Sequence, residues 1–301
     1  MIITRAPFEI RQQLQPLRGK NTIAFVPTMG CLHQGHLSLI ETAKTLANIV
    51  VVSIYVNPLQ FGPGEDLEHY PRPFETDARL CRDAGVDFIF HPPSLYPESG
   101  AQITLNVSKL SNCLCGASRP DHFDGVATVV NILFNIIQPD FAIFGEKDWQ
   151  QLTIIRQMVN DLAMPIEVIG AATMRQADGL AMSSRNRYLS DDERQQALAI
   201  SQALTAMQQQ AATGESDVET LKNTALSLLK QAGISPQYIE ILNATSLTGI
   251  DTLDHHDYRA FIAARVGAAR LIDNMPIQVM SAQTISTQTM PKHSKLQEQH
   301  P

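Results

Sequence analysis

Residues 49–56 read Ile-Val-Val-Val-Ser-Ile-Tyr-Val, apolar at nearly every position. A half-exposed strand alternates apolar and polar side chains, so an unbroken run of this length predicts a parallel strand covered on both faces. Just upstream, Leu37, Ile40, Ala43, Leu46 and Ala47 recur at helical spacing. Before them, residues 22–26 form a shorter β-prone run that Pro27 is expected to end. Strand, crossover helix and strand in succession make a βαβ unit.

The alternation then repeats. A helical pattern at 75–84 leads through Gly85 into a strand at 86–90, and one at 126–137 leads through Pro139 into a strand at 141–144. Another helix at 150–162 precedes a strand at 166–169. The pattern predicts an α/β fold, a Rossmann-like doubly wound parallel sheet. Near Ala172 the texture changes. Helical segments at 191–211 and 218–232, joined by a polar loop, are followed by strand-like runs at 238–242, 259–266 and 270–279. These features predict a domain at 1–172 and a smaller C-terminal α+β domain at 173–280. Residues 281–301 carry too few large apolar side chains to bury a core and are expected to be a disordered tail.

Composition narrows the function. A chain of 301 residues with 44% apolar and 18% charged residues is globular for most of its length. Its formal net charge of −7 argues against a nucleic-acid partner, which calls for a basic face. No apolar run reaches the roughly 18 residues of a membrane span, and the polar residues 1–20 lack the apolar core of a secretory leader. A soluble, cytoplasmic protein with no membrane contact is expected. Cys31, Cys81, Cys113 and Cys115 do not form two-residue-spaced pairs, which points to reduced thiols rather than zinc or a redox dithiol.

Three segments could carry chemistry. Residues 27–36, Pro-Thr-Met-Gly-Cys-Leu-His-Gln-Gly-His, lie where the first predicted strand gives way to the first helix. Ligands of open α/β sheets gather at the carboxyl ends of strands, and a helix N-terminus offers free N–H groups to an anion. Gly30 and Gly35 would let phosphates approach the backbone, and His33 and His36 could donate hydrogen bonds to phosphate oxygens. Two histidines in a polar loop could equally be surface residues; a zinc site lacks a third ligand at suitable spacing. Gly145-Glu146-Lys147-Asp148 again follows a strand and opens a helix. Lys147 offers a point charge to phosphate, while Glu146 and Asp148 could simply complement the helix dipole. The third segment, Met182-Ser183-Ser184-Arg185-Asn186-Arg187, has hydroxyls and guanidiniums suited to a triphosphate, or could be a capping loop with exposed arginines. Neither a GxxxxGK[ST] loop nor a GxGxxG fingerprint occurs, so a nucleotide would need another device.

Taken in order, these segments resemble the pantoate and β-alanine ligases, the pantothenate synthetase family of the nucleotidyltransferase superfamily with the His-x-Gly-His signature. The resemblance runs from about Ile2 to Val279. It includes 26–36, Val56-Asn57-Pro58-Leu59-Gln60-Phe61, Gly116-Ala117-Ser118-Arg119-Pro120 with His122-Phe123, 145–151, Asp178-Gly179 with 182–186, and 270–274. The resemblance implies an ATP site at Met29, Gly30, Cys31, Leu32, His33, Gln34, Gly35 and His36, at Gly145, Glu146, Lys147 and Asp148, at Met174, and at Met182, Ser183, Ser184 and Arg185. His36 takes the family's proton-donor position. Gln60 and Gln151 match its pantoate-binding glutamines. Cys31 and Gln34 stand where the family often has Asn and Asp, and Met182 where it often has Leu.

The family implies two half-reactions, adenylation of pantoate by ATP with Mg2+ and displacement of AMP by the amine of β-alanine, in a homodimer. His33, His36, Lys147 and Arg185 would stabilise charge on the phosphates. A rival enzyme that transfers the nucleotide to a phosphorylated substrate would share the first motif and the sheet, but Gln60 and Gln151 favour a carboxylic acid. A non-catalytic nucleotide sensor would have no use for those glutamines.

Overall fold

The computed structural model describes residues 1–279; the tail expected at 281–301 lies outside them. In chain order the elements of the first part are β1 (Ile2–Thr4), α1 (Pro7–Leu14), β2 (Ile23–Thr28), α2 (Gln34–Leu46), β3 (Ile49–Ile54), α3 (Phe74–Asp83), β4 (Phe88–Phe90), α4 (Leu114–Ser118), α5 (His122–Ile137), β5 (Phe141–Gly145), α6 (Trp149–Asp161) and β6 (Glu167–Ala171). The six strands form one parallel sheet in the order β1-β4-β3-β2-β5-β6. Apolar side chains fill both faces of the central strands. Ile23 and Phe25 of β2 and Val51 of β3 join α1, α5 and α6 in one core; Ala24, Val26, Val50, Val52 and Ile54 pack with α2 and α3 in the other. Of the unbroken run at 49–56, residues 49–54 are thus a strand serving two cores.

The order places a switch point between β2 and β5. From β2 the chain winds outward through β3 to β4, then returns to the other side of β2 as β5. Loops leaving the carboxyl ends of β2 and β5 therefore diverge to opposite faces and leave a crevice between them. Pro27 does not end the first strand as expected: β2 continues to Thr28, paired with β3 along its whole length. In β2 the odd residues bond toward β5, as Ile23 O does in accepting from Asp140 N–H, and the even ones toward β3, as Thr28 O does in accepting from Tyr55 N–H. Pro27 therefore lacks its donor on the β5 side, where pairing has already stopped at Phe25↔Ala142. Its ring lines the crevice.

A second layer system follows: α7 (Asp191–Ala212) and α8 (Val218–Gln231) cover an antiparallel sheet β7-β8-β9 formed by Pro236–Asn243, Tyr258–Val266 and Ala269–Ile277. Its helices-then-strands order matches the expected α+β unit. A small cluster of Leu114, Leu242, Leu247 and Phe261, with Trp149 and Tyr238 against it, joins this sheet to the first.

Candidate active site

The first motif begins at the end of β2 and enters α2. His33 is the N-cap of α2: its Nδ1 accepts from Gly35 N–H at 3.1 Å, and its own N–H donates to His36 Nδ1 at 3.2 Å. The two imidazoles thus form a reciprocal cap of the kind that Ser and Glu side chains usually provide. Their ring centroids lie 4.1 Å apart. Because each Nδ1 is an acceptor, each neutral ring carries its proton on Nε2. Burial, then the charges of Lys147 and Arg187, lower the His33 pKa to about 4. Burial, His33 and Lys147 lower that of His36 to about 3. Both rings are neutral donors at pH 7.

Three N–H groups of the loop are engaged by the protein itself. Cys31 and Leu32 both donate to the carboxylate of Asp77 from α3, at 2.8 Å each, and Gly30 N–H donates to Thr28 Oγ1 at 3.1 Å. Asp77 is buried; burial pushes its carboxyl above the ordinary value while the two N–H donors oppose the rise. The glycines answer to protein neighbours in the same way. Gly30 has φ +81°, and a Cβ there would meet Asp77 Oδ2 at 2.9 Å; a Cβ at Gly35 would meet the His33 ring at 2.9 Å. Gly35 is what allows the ring to fold back over the turn.

The second motif leaves β5 as a single turn, residues 146–148, before α6. Lys147 Nζ lies 3.7 Å from Asp148 Oδ1. Glu146 accepts from Arg259 of β8 at 3.0 Å. In the third, Ser183 Oγ accepts from Arg185 N–H at 3.3 Å and the Arg185 guanidinium pairs with Asp66 at 3.0 Å. Met182 packs close to the first motif, its Cβ 3.5 Å from the position a Cβ would take at Gly35.

A cavity of about 260 Å³ lies in the switch-point crevice. Met29, His33, Gly35, His36, Gln60, Gly145, Lys147, Asp148, Gln151, Met174, Met182, Ser183, Ser184 and Arg185 line it. Gly30, Cys31, Leu32, Gln34 and Glu146 are not among its lining residues; the first three shape the loop through Asp77, and Glu146 faces the second sheet. An adjoining cavity of about 900 Å³ shares Arg119, His122, Lys147, Asp148, Gln151, Ser183 and Arg185.

Gln60 ends a short turn after β3 and is held from several sides. Its Oε1 accepts from Asn57 Nδ2 at 3.1 Å, and its Nε2 lies 3.1 Å from Met29 Sδ. Its carbonyl accepts from His122 Nδ1 at 2.8 Å and Arg119 Nη2 at 3.2 Å. Arg119 in turn pairs with Glu65 and meets His122 Nε2 at 2.8 Å. Burial, then the charge of Arg119, lowers the His122 pKa to about 4, so this ring is neutral and donates from Nδ1. Sequence reasoning assigned no role to Asn57, Asp77, Arg119 or His122. Arg119 and His122 sit in a stretch quoted for the resemblance, which was a usable signal; Asp77 looked like any acidic residue in a first helical turn.

The arrangement offers neutral imidazole donors, one ammonium and the guanidiniums of Arg119 and Arg185 to an anion, with two carboxamides alongside. Comparison with known proteins fits this chemistry. The model of the family described as pantoate-beta-alanine ligase matches residues 2–276. A pantothenate synthetase from Shewanella sp. (strain ANA-3) is 49% identical over 271 residues, 89% of this chain and 96% of that protein. The crystal structure of pantothenate synthetase from Thermus thermophilus superposes with a TM-score of 0.87 at 43% identity, covering 91% of this chain and 99% of that one. That of pantoate-beta-alanine ligase from Francisella tularensis, complexed with beta-gamma ATP and beta-alanine, has a TM-score of 0.76 at 35% identity, covering 91% and 97%.

Proposed function

Since the chain belongs to the pantoate–β-alanine ligase family, we propose a residue-level account of how it uses ATP to join pantoate to β-alanine. One observation carries it: a single cavity at the switch point is lined at once by His33, His36, Lys147 and Arg185 and by Gln60 and Gln151. A carboxylate is a poor acyl donor until one of its oxygens becomes a good leaving group. In the first step a pantoate carboxylate oxygen bonds to the α-phosphorus of ATP and the bond to pyrophosphate breaks. In the second the β-alanine nitrogen bonds to the acyl carbon, the bond to AMP breaks, and the nitrogen gives up a proton.

Gln60 and Gln151 hold pantoate by its polar groups. The Nε2–H groups of His33 and His36 donate to phosphate oxygens, and Lys147 and Arg185 meet the charge that develops on the departing pyrophosphate. His36 serves as a hydrogen-bond donor rather than a proton donor, because protonating its Nδ1 would break the bond from His33 N–H. Met29, Gly35, Gly145, Met174, Met182, Ser183 and Ser184 complete the nucleotide walls. Water must be kept from the mixed anhydride, and the segment 182–185 from beyond Ala172 is suited to cover it.

Among the described residues no three His, Cys, Asp or Glu side chains are grouped to hold a metal. Mg2+ needs only phosphate oxygens, water and one or two carboxylates, and Asp148 at the cavity fits that part. The ion would neutralise phosphate charge. The proposal extends to a homodimer in the cytoplasm, supported by the family resemblance and by four free cysteines. The test is exchange of labelled pyrophosphate into ATP, expected to require pantoate and to proceed without β-alanine. Exchange indifferent to pantoate, or no pantothenate from the three substrates, overturns the reading.

A further inference from the structure

The stretch 270–274 takes no part in the chemistry described so far, yet one of its side chains reaches the turn that bears Lys147. Asn274 of β9 is buried. Its Nδ2 donates to the carbonyl oxygens of Glu146 at 3.0 Å and Lys147 at 2.9 Å, and its Oδ1 accepts from Arg259 Nη1. Only this orientation of the carboxamide is possible, since the reverse would set its oxygen against two carbonyls. Arg259 uses its other nitrogen on Glu146 Oε2 at 3.0 Å, and its guanidinium lies 3.5 Å from the centre of the Trp149 ring. Two strands of the second sheet thus grip residues 146, 147 and 149 of the first domain.

We propose that Asn274 is a positioning residue for adenylation: by binding the carbonyls of Glu146 and Lys147 it fixes the turn from which the Lys147 ammonium reaches the nucleotide phosphates. The inference rests on the reading of the site given above. A lysine side chain is long and flexible, so where its charge can settle depends on where its backbone is anchored. A displacement near 1 Å can cost about 10²-fold in rate. The second half-reaction should be spared, because the pyrophosphate that Lys147 serves has already left.

The test compares Asn274→Asp and Asn274→Ala, each in the wild-type protein and with Lys147→Ala. Two activities are read: pantoate-dependent pyrophosphate exchange, and aminolysis of supplied pantoyl adenylate by β-alanine. Asp keeps the shape of Asn and an acceptor for Arg259 but sets an anion against both carbonyls, so it remains readable should the Ala variant fail to fold. Exchange is expected to fall about 10- to 100-fold, with aminolysis within about threefold of wild type. In the Lys147→Ala protein the same substitution should change exchange by less than about twofold, since coupled groups are non-additive. Asn274→Ser, which keeps one donor, should recover part of the loss. Undiminished exchange, equal losses in both half-reactions, or the same loss without Lys147 overturns the inference. Wild-type protein that fails to exchange would instead overturn the adenylate mechanism itself.

Discussion

His36 would have two separable duties: its Nδ1 caps α2, and its Nε2–H would serve the nucleotide in the proposed reading. A glutamine at this helical position can reach back to the N-cap N–H, as in an ordinary capping box. His36→Gln is therefore expected to keep its urea midpoint at pH 7 while adenylation falls by about 10² to 10³. His36→Ala should lose the same rate and about 1 kcal/mol of stability besides. A Gln variant with near-normal exchange would leave the ring without its proposed role. The same residue shapes the acid response. Its pKa is about 3 in the folded chain, against about 6.5 for an unperturbed histidine. Between those values the unfolded state binds a proton that the folded state does not, so stability falls as pH drops from 6.5 toward 3, by up to about 1.4 kcal/mol per pH unit from this one site. Above pH 6.5 it contributes no dependence. Urea titrations between pH 6.5 and 4.5 should show a shallower decline for His36→Gln than for wild type; equal slopes would mean that the ring titrates normally.

Between elements, close backbone approaches set the site. Gly125 in α5 lets the helix touch the turn that ends in Gln60: a Cβ there would lie 2.2 Å from Leu59 O. Backbone cannot swing aside as a side-chain tip can, so Gly125→Ala should push Gln60 from its place and raise KM for pantoate by about tenfold or more, with a much smaller effect on ATP. Unchanged pantoate kinetics would show that Gln60 does not need its tether. No pattern in the sequence distinguished Gly125 from an ordinary helical glycine, since its partner lies far off along the chain. The central strands were legible because Val50, Val51 and Val52 are apolar in succession. β1 and α1 were not: β1 is an edge strand with Ile2 and Ile3 exposed, and α1 buries only Ile10 and Leu14 while Phe8 stays exposed. The three motifs were found because each follows a strand or a break in texture. That the N–H groups of Cys31 and Leu32 are taken by Asp77 was not legible, because Asp77 arrives from another helix.

Across the whole molecule, the two sheets are joined by more than a hinge. Arg259 on Glu146, Asn274 on the carbonyls of Glu146 and Lys147, and the cluster of Leu114, Leu242, Leu247 and Phe261 tie them together. Arg259 is buried, and losing Glu146 would leave its charge without its carboxylate partner, a change that typically costs about 3–5 kcal/mol for a buried pair. A division near Ala172 would therefore mark a change of architecture rather than a line along which the chain melts. Trp149, the one tryptophan of the sequence, sits on this seam, with its Nε1–H on Ala244 O at 2.7 Å and Arg259 over its ring. Its fluorescence reports separation of the sheets, while far-UV circular dichroism reports loss of helices in both. Thermal unfolding followed by the two probes should give coincident midpoints, as one cooperative unit requires. In Arg259→Met the fluorescence transition should move below the dichroism transition, because the seam then opens before either core melts. If wild-type fluorescence already changes several degrees below the dichroism, the sheets part while both remain folded, and the grip on residues 146–149 is too weak to hold Lys147 at working temperature.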